Sequence, residues 1–362
     1  MTAISYATAI DPRRLPFKDR RTSLKVAGVL LVIFGALSGC LGGLTPVGMY
    51  VAARVATQSS AAAAGSGAVR AAEPALDFRT TTLASGTYLL AAAATIWPGV
   101  GSLRIRRWVR PVILVIGWTW LVGGAASFAH WLIFGASVRE LMTASWQPGM
   151  ASPPRAVFTA ISAALGVVTF VFLVALPAVL VWTYQRRGVR ETLAYFDDHP
   201  SRWTDRCPTP VLAVAGWLAL AGVSALAYST YGVFPLFGRF VTGAAGAAAL
   251  LGLAGLFFGL AWGVYRLSAA AWWGTAFAWT LWTGSMVWTF TRAGYHEFYR
   301  QAGYSPQQID ALMKYGGQFE DSTVWMIALW GVGVIGYLLV VRKYFTSAPA
   351  PTASRAEPSE AA

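Results

Sequence analysis

The amino-acid sequence predicts an all-α polytopic membrane protein: eight transmembrane helices in two tandem parallel four-helix units, with short amphipathic interfacial helices. Three observations carry this reading. The chain is 56% hydrophobic and only 12% charged, against about 25% charged residues in an ordinary soluble domain. Eight apolar stretches are each long enough to cross about 30 Å of hydrocarbon at about 1.5 Å per residue. The basic residues behind the net charge of +13 gather at alternate ends of those stretches, the pattern of membrane orientation and not of nucleic-acid binding.

The stretches lie near 26–44, 82–101, 111–136, 156–184, 211–229, 244–265, 269–290 and 322–341. Residues 1–25 form a basic segment before the first, with Arg13, Arg14, Lys18, Arg20, Arg21 and Lys25. Arg104, Arg106, Arg107 and Arg110 follow the second stretch, Arg186, Arg187 and Arg190 the fourth, Arg266 the sixth, and Arg342 and Lys343 the eighth. The positive-inside bias therefore places both termini in the cytoplasm. The excess of Arg over Lys, with abundant Ala and Gly, points to a high-GC bacterial genome and so to the bacterial inner membrane.

In the first span, Leu37 to Cys40 read LSGC, a lipobox pattern that would make Cys40 a lipidated first residue. The basic leader is long for a signal peptide and the apolar run continues to Tyr50, so an uncleaved span is the preferred reading. The outer loop, about 45–81, carries the low-complexity tract SSAAAAGSGAV and is expected to be mobile. The first unit covers 26–185 and the second 210–344, and a tail over 345–362, rich in Ala, Pro, Ser and Glu, is expected to be disordered.

The repeat rests on two echoes. GVGSLRIRRWVR (99–110) aligns without gaps on AWGVYRLSAAAW (261–272), so that Gly101 meets Gly263, Arg104 meets Arg266 and Ile105 meets Leu267. After the third span Ser137 to Glu140 forms a capping box. After the seventh, Ser305, Pro306 and Gln308 supply the same signals, and each set leads into an apolar i, i+3, i+4 pattern. Each therefore predicts a short amphipathic helix on the outer face.

Between the units, 186–209 reads as a cytoplasmic linker with an interfacial helix. Val189, Leu193 and Phe196 recur at helical spacing while Arg186, Arg187 and Arg190 can reach lipid phosphates. Pro200 ends that helix, and Thr209 with Pro210 is expected to cap and start the fifth span. Asp197, His199, Asp205 and Cys207 are metal-capable groups, but they lack the tight spacing of a metal site, so the stretch reads as a joint.

No Asp or Glu falls inside a span. His130, near the outer end of the third span, and His296 with Glu297, just beyond the seventh, are the candidates for an outer-rim site. Two loop histidines cannot provide the second axial ligand of a haem. Trp279 and Trp282 fall mid-span and are candidate contacts for an apolar ligand, with packing against a neighbouring span as the simpler role. Gly35, Gly39 and Gly43, and likewise Gly255, Gly259 and Gly263, recur every fourth residue and predict faces for close helix contact.

No phosphate loop, nucleophile elbow or nucleic-acid module is present. The expected function is that of a non-enzymatic scaffold or subunit of a larger membrane assembly, with no cofactor and no metal. Its expected partners are membrane lipids and other membrane subunits, and no nucleic acid. The alternatives are a transporter or a lipid- or quinone-handling protein with a site between the halves, and a membrane enzyme using the outer-rim His and Glu.

Overall fold

A computed structural model describes residues 17–64, 78–144, 155–200, 203–306, 309, 310, 313 and 320–346. The tail from Ser347 lies outside the described residues. The chain is an overwhelmingly helical membrane protein, its α-helices interrupted among the described residues by one short β-hairpin. Six helical stretches are long and apolar enough to cross a membrane: Arg21–Gly48, Val109–Ala129, Thr159–Gln185, Thr209–Tyr228, Gly243–Tyr265 and Thr323–Thr346. The two other expected spans are also helical, over 26 and 33 residues. Their Thr, Ser, Gly and Trp content makes them less apolar than the six.

The chain divides into two compact units, Met1–Arg206 and Cys207–Ala362. That boundary falls in the stretch read as a joint. In the first unit the helices are α1 (Arg21–Ala64), α2 (Phe78–Leu103), α3 (Val109–Ala144), α4 (Arg155–Phe170), α5 (Leu176–Gln185), α6 (Arg187–Phe196) and α7 (Trp203–Arg206). Residues 45–64, expected in a loop, continue α1 well past its membrane-length stretch. Ser137 to Glu140 likewise lies inside α3 and opens no new helix.

The fourth span is broken by a π-helical turn over Val171–Ala175. Pro177 explains it: the ring has no N–H to offer the carbonyl four residues back, that of Leu173, and crowds it. Gly124 of α3 lies against that carbonyl, in a space that any Cβ would fill.

The core of the first unit sits at its basic end, where Leu24, Val109, Ile113, Tyr184, Val189 and Leu193 are buried together. The amphipathic face of α6 therefore packs on protein, whereas the sequence placed it on lipid. Val189 and Leu193 are 1% and 2% exposed, and Thr192 Oγ1 accepts the Arg20 N–H at 3.1 Å.

The second unit holds α8 (Thr209–Tyr228), a hairpin of β1 (Phe234–Leu236) and β2 (Arg239–Val241), then α9 (Gly243–Tyr265), α10 (Ala269–Gln301), α11 (Glu320–Val341) and α12 (Lys343–Thr346). Pro208 is the N-cap of α8, one residue earlier than expected. Its core joins Val211, Leu218, Phe257, Val264, Trp272 and Leu338. Where an amphipathic helix was expected after α10, the Ile309 N–H donates to the Ser305 carbonyl at 3.0 Å and Ile309 is buried. Most of that segment lies outside the described residues.

Candidate functional site

The glycine faces behave differently in the two units. On α1 the tightly packed positions are Gly28, Gly35 and Gly42, seven residues apart. A Cβ at Gly35 would stand 2.5 Å from Ile96 and 2.6 Å from the Thr95 hydroxyl, and one at Gly42 would stand 2.9 Å from the Tyr88 side chain. Gly99 of α2 answers Gly28 across the pair, with its Cβ position 3.1 Å from the Gly28 carbonyl. Seven residues nearly complete two helical turns, so a heptad stays on one seam of a left-handed pair while a four-residue ladder drifts off it. This corrects the expected Gly35, Gly39, Gly43 face: Gly39 makes an ordinary contact with Ala92, and nothing lies within 4 Å of Gly43.

The predicted face on α9 divides as well. Gly263 belongs to the turn, its Cβ position 2.5 Å from Ala271. Gly252, Gly255 and Gly259 meet no packed neighbour from their own unit. With Ala244, Ala245 and Ala248 they form an exposed strip of small residues along α9, bordered by the exposed side chains of Leu251, Phe258 and Trp262.

The aligned turns share one geometry. The Arg106 N–H donates to the Gly101 carbonyl at 3.0 Å and the Ile105 N–H to that of Ser102 at 3.0 Å. In the second unit Ser268 donates to Gly263 and Leu267 to Val264, both at 2.9 Å. These are Schellman ends with Ile105 (φ 54°) and Leu267 (φ 59°) in the left-handed position, which disfavours side chains other than Gly. Each strained residue packs on the core of its own unit. The echo continues beyond the turn. Arg110 Nε donates to the Tyr184 carbonyl at 3.1 Å, and the aligned Trp272 indole donates to that of Leu338 at 3.0 Å.

The polar residues of the joint hold the first of these turns. Asp197 Oδ2 accepts the Arg107 N–H at 2.8 Å, and its Oδ1 lies 3.4 Å from Arg106. Burial alone would raise this carboxyl, but bonds from the Arg107 and His199 N–H groups and the charges of Arg106 and His199 outweigh it and hold it below the usual range. His199 Nδ1 contacts the Arg106 guanidinium. Cys207 is buried in the core of the second unit, and burial pushes its thiol up to about 11. Asp197, His199 and Cys207 are thus bound into packing in two different units. Among the described residues no group of three metal-capable side chains converges.

The hairpin between α8 and α9 was not foreseen. Its turn residues, Phe237 (φ 40°) and Gly238 (φ 93°), are both left-handed, as a two-residue type I′ hairpin requires. Two side chains of α10 hold it: Ser285 donates to the Pro235 carbonyl at 2.9 Å and accepts the Phe237 N–H at 3.1 Å, while Thr289 accepts the Gly238 N–H at 3.0 Å. Both hydroxyl residues are buried. Phe240 packs on Phe290 and Phe298 at 5.5 and 5.8 Å between ring centres. The signal in sequence was the alternation of FPLFGRFV around a Phe-Gly pair.

The mid-span tryptophans are engaged by aromatic neighbours, Trp279 with Phe257 at 6.1 Å and Trp282 with Phe234 of the hairpin at 5.7 Å. Of the rim residues, His296 is exposed. Glu297 accepts bonds from Arg300 at 2.7 Å and Gln301 at 2.6 Å on its own helix, which hold its carboxyl below the usual range. The side chain of His130 lies outside the described residues, and Cys40 sits exposed within the continuous α1. At Gly294 α10 breaks, with φ 72° and ψ 170°, a conformation essentially confined to Gly. Beside the break, α10 and α11 enclose an open cleft of about 460 Å³ walled by Val287, Phe290, Tyr295, Val324 and Trp325. No protein-family model, curated protein or solved structure matches this chain.

Proposed function

We propose that this protein is a non-enzymatic subunit or scaffold of a larger membrane assembly, and that α9 is the helix that meets another polypeptide. The observation that carries the reading is the exposed strip of small residues on α9, Ala244, Ala245, Ala248, Gly252, Gly255 and Gly259, whose glycines meet no packed neighbour. In lipid no hydrophobic drive brings helices together, so close backbone approach across small residues supplies much of the contact energy. The same chain fills its other glycine seam, on α1, with α2.

The arrangement belonging to this proposal is eight spans in two tandem parallel units, both termini cytoplasmic, in a bacterial inner membrane. The lengths of α2 and α10 support the count, and the matched turns at 101–109 and 263–271 support the tandem relation. The distribution of Arg supports the orientation.

Extraction into native-lipid discs tests the assembly. The wild-type particle should exceed the mass of one chain, and Gly259→Leu should reduce it to one chain with its helicity intact. A single-chain mass for the wild type sinks the reading. One observation favours a second reading, the handling of an apolar ligand: the cleft beside Gly294. Loss of a cellular activity on filling that cleft with Ala328→Trp, with the particle mass unchanged, would favour it over the first.

A further inference from the structure

At the basic end of the first unit, α1 and α5 leave a second groove, of about 310 Å³. Its walls are Val26, Leu30, Leu176 and Val179, and Val26, Leu30 and Val179 are about half exposed within helices long and apolar enough to cross a membrane. Arg20 and Arg186 also line it, with the hydroxyl residues Ser23 and Thr183. An apolar trough ending in two guanidiniums is the inverse of an anionic phospholipid, in which a phosphate ends a hydrocarbon chain.

The two arginines are held and uncompensated. Arg186 lies over the Trp182 ring at 3.5 Å, a stacking that fixes its plane at the interface. The stem of Arg20 runs against Gly188 of α6, where a Cβ would stand 3.4 Å from its Cγ. Its Nε is withdrawn from solvent with no acceptor. The adjacent carboxylate, Asp19, is taken by Arg21 at 2.8 Å. Among the described residues neither Arg20 nor Arg186 pairs with an acid. A mouth with two guanidiniums and no paired carboxylate leaves the counter-charge to come from outside the chain.

We infer that this groove binds one anionic glycerophospholipid, its phosphate between Arg20 and Arg186 and one acyl chain along Val26, Leu30, Leu176 and Val179. The inference is independent of the assembly proposed through α9. Loss of both guanidiniums should weaken retention of the anionic lipid by at least about tenfold.

The test uses the full chain in discs containing equal phosphatidylglycerol and phosphatidylethanolamine, with native mass spectrometry counting the lipids retained after the disc is stripped. Wild type should keep one phosphatidylglycerol in preference to phosphatidylethanolamine, and millimolar inorganic phosphate should not displace it. The double variant Arg20→Ala, Arg186→Ala should lose it. So should Val179→Trp, which fills the groove from an exposed position and leaves the core untouched. Equal retention of the two lipids, retention unaffected by Val179→Trp, or displacement by inorganic phosphate alone would each overturn the inference.

Discussion

Asp197 shows how one side chain turns a suspected reactive stretch into a structural one. It is 7% exposed and ties the end of α6 to the turn after α2 through the Arg107 N–H and the Arg106 guanidinium. Asp197→Ala should destabilise the first unit by about 2 kcal/mol, the usual worth of hydrogen bonds to a charged group, measured by denaturant unfolding in discs. Its carboxyl is held below the ordinary value, so the contribution is present at neutral pH and is lost as the pH falls below about 4, through the folded value. A pH-independent difference between the variant and wild type would contradict this. The joint was legible because Pro200 and the charged run mark a helix end. The docking of Asp197 on a turn some ninety residues earlier was not, since nothing local encodes a tertiary partner.

At the scale of elements, the glycine seams make opposed predictions for the same substitution. Gly35→Leu must displace Ile96 and Thr95 on α2, an overpacking that costs about 1–3 kcal/mol, and should lower the thermal midpoint of the first unit. Gly259→Leu meets no packed atom of its own unit and should change stability by no more than about 0.5 kcal/mol. The four-residue ladder of α1 was conspicuous in the sequence, yet the tight positions are Gly28, Gly35 and Gly42, a seven-residue spacing that stays nearer one helix face than a four-residue one does. The β1–β2 hairpin escaped notice for another reason: it is short, contains Pro235, and turns on Phe-Gly instead of the usual Asn-Gly. Its anchor is testable. Ser285→Val removes an acceptor and a donor at once, and the Phe237 amide should then exchange its hydrogen at least tenfold faster, while α8 and α9 exchange as before. Unchanged protection would detach the hairpin from α10.

For the whole molecule, membrane character was legible from composition, and most helix positions from apolar runs, because a bilayer demands long apolar helices whatever their tertiary contacts. Helix ends beyond the bilayer were not: α1 runs to Ala64 and α3 to Ala144 where the polar sequence suggested loops and caps. The proposed eight-span topology predicts that a reporter fused after Phe345 works only in the cytoplasm and one inserted near Gly65 only outside. Labelling of the C-terminus from outside would require an odd number of spans or the opposite orientation.

The most direct measurement is cysteine cross-linking at position 259 in intact membranes, with Cys40 and Cys207 first replaced by Ser. The proposed role places α9 against another polypeptide, so Gly259→Cys should give a cross-linked product larger than one chain. A control cysteine at Ala254, which is buried in its own unit, should give none. A product confined to a single chain, or no product at 259 under conditions that label the residue, would contradict the assembly role.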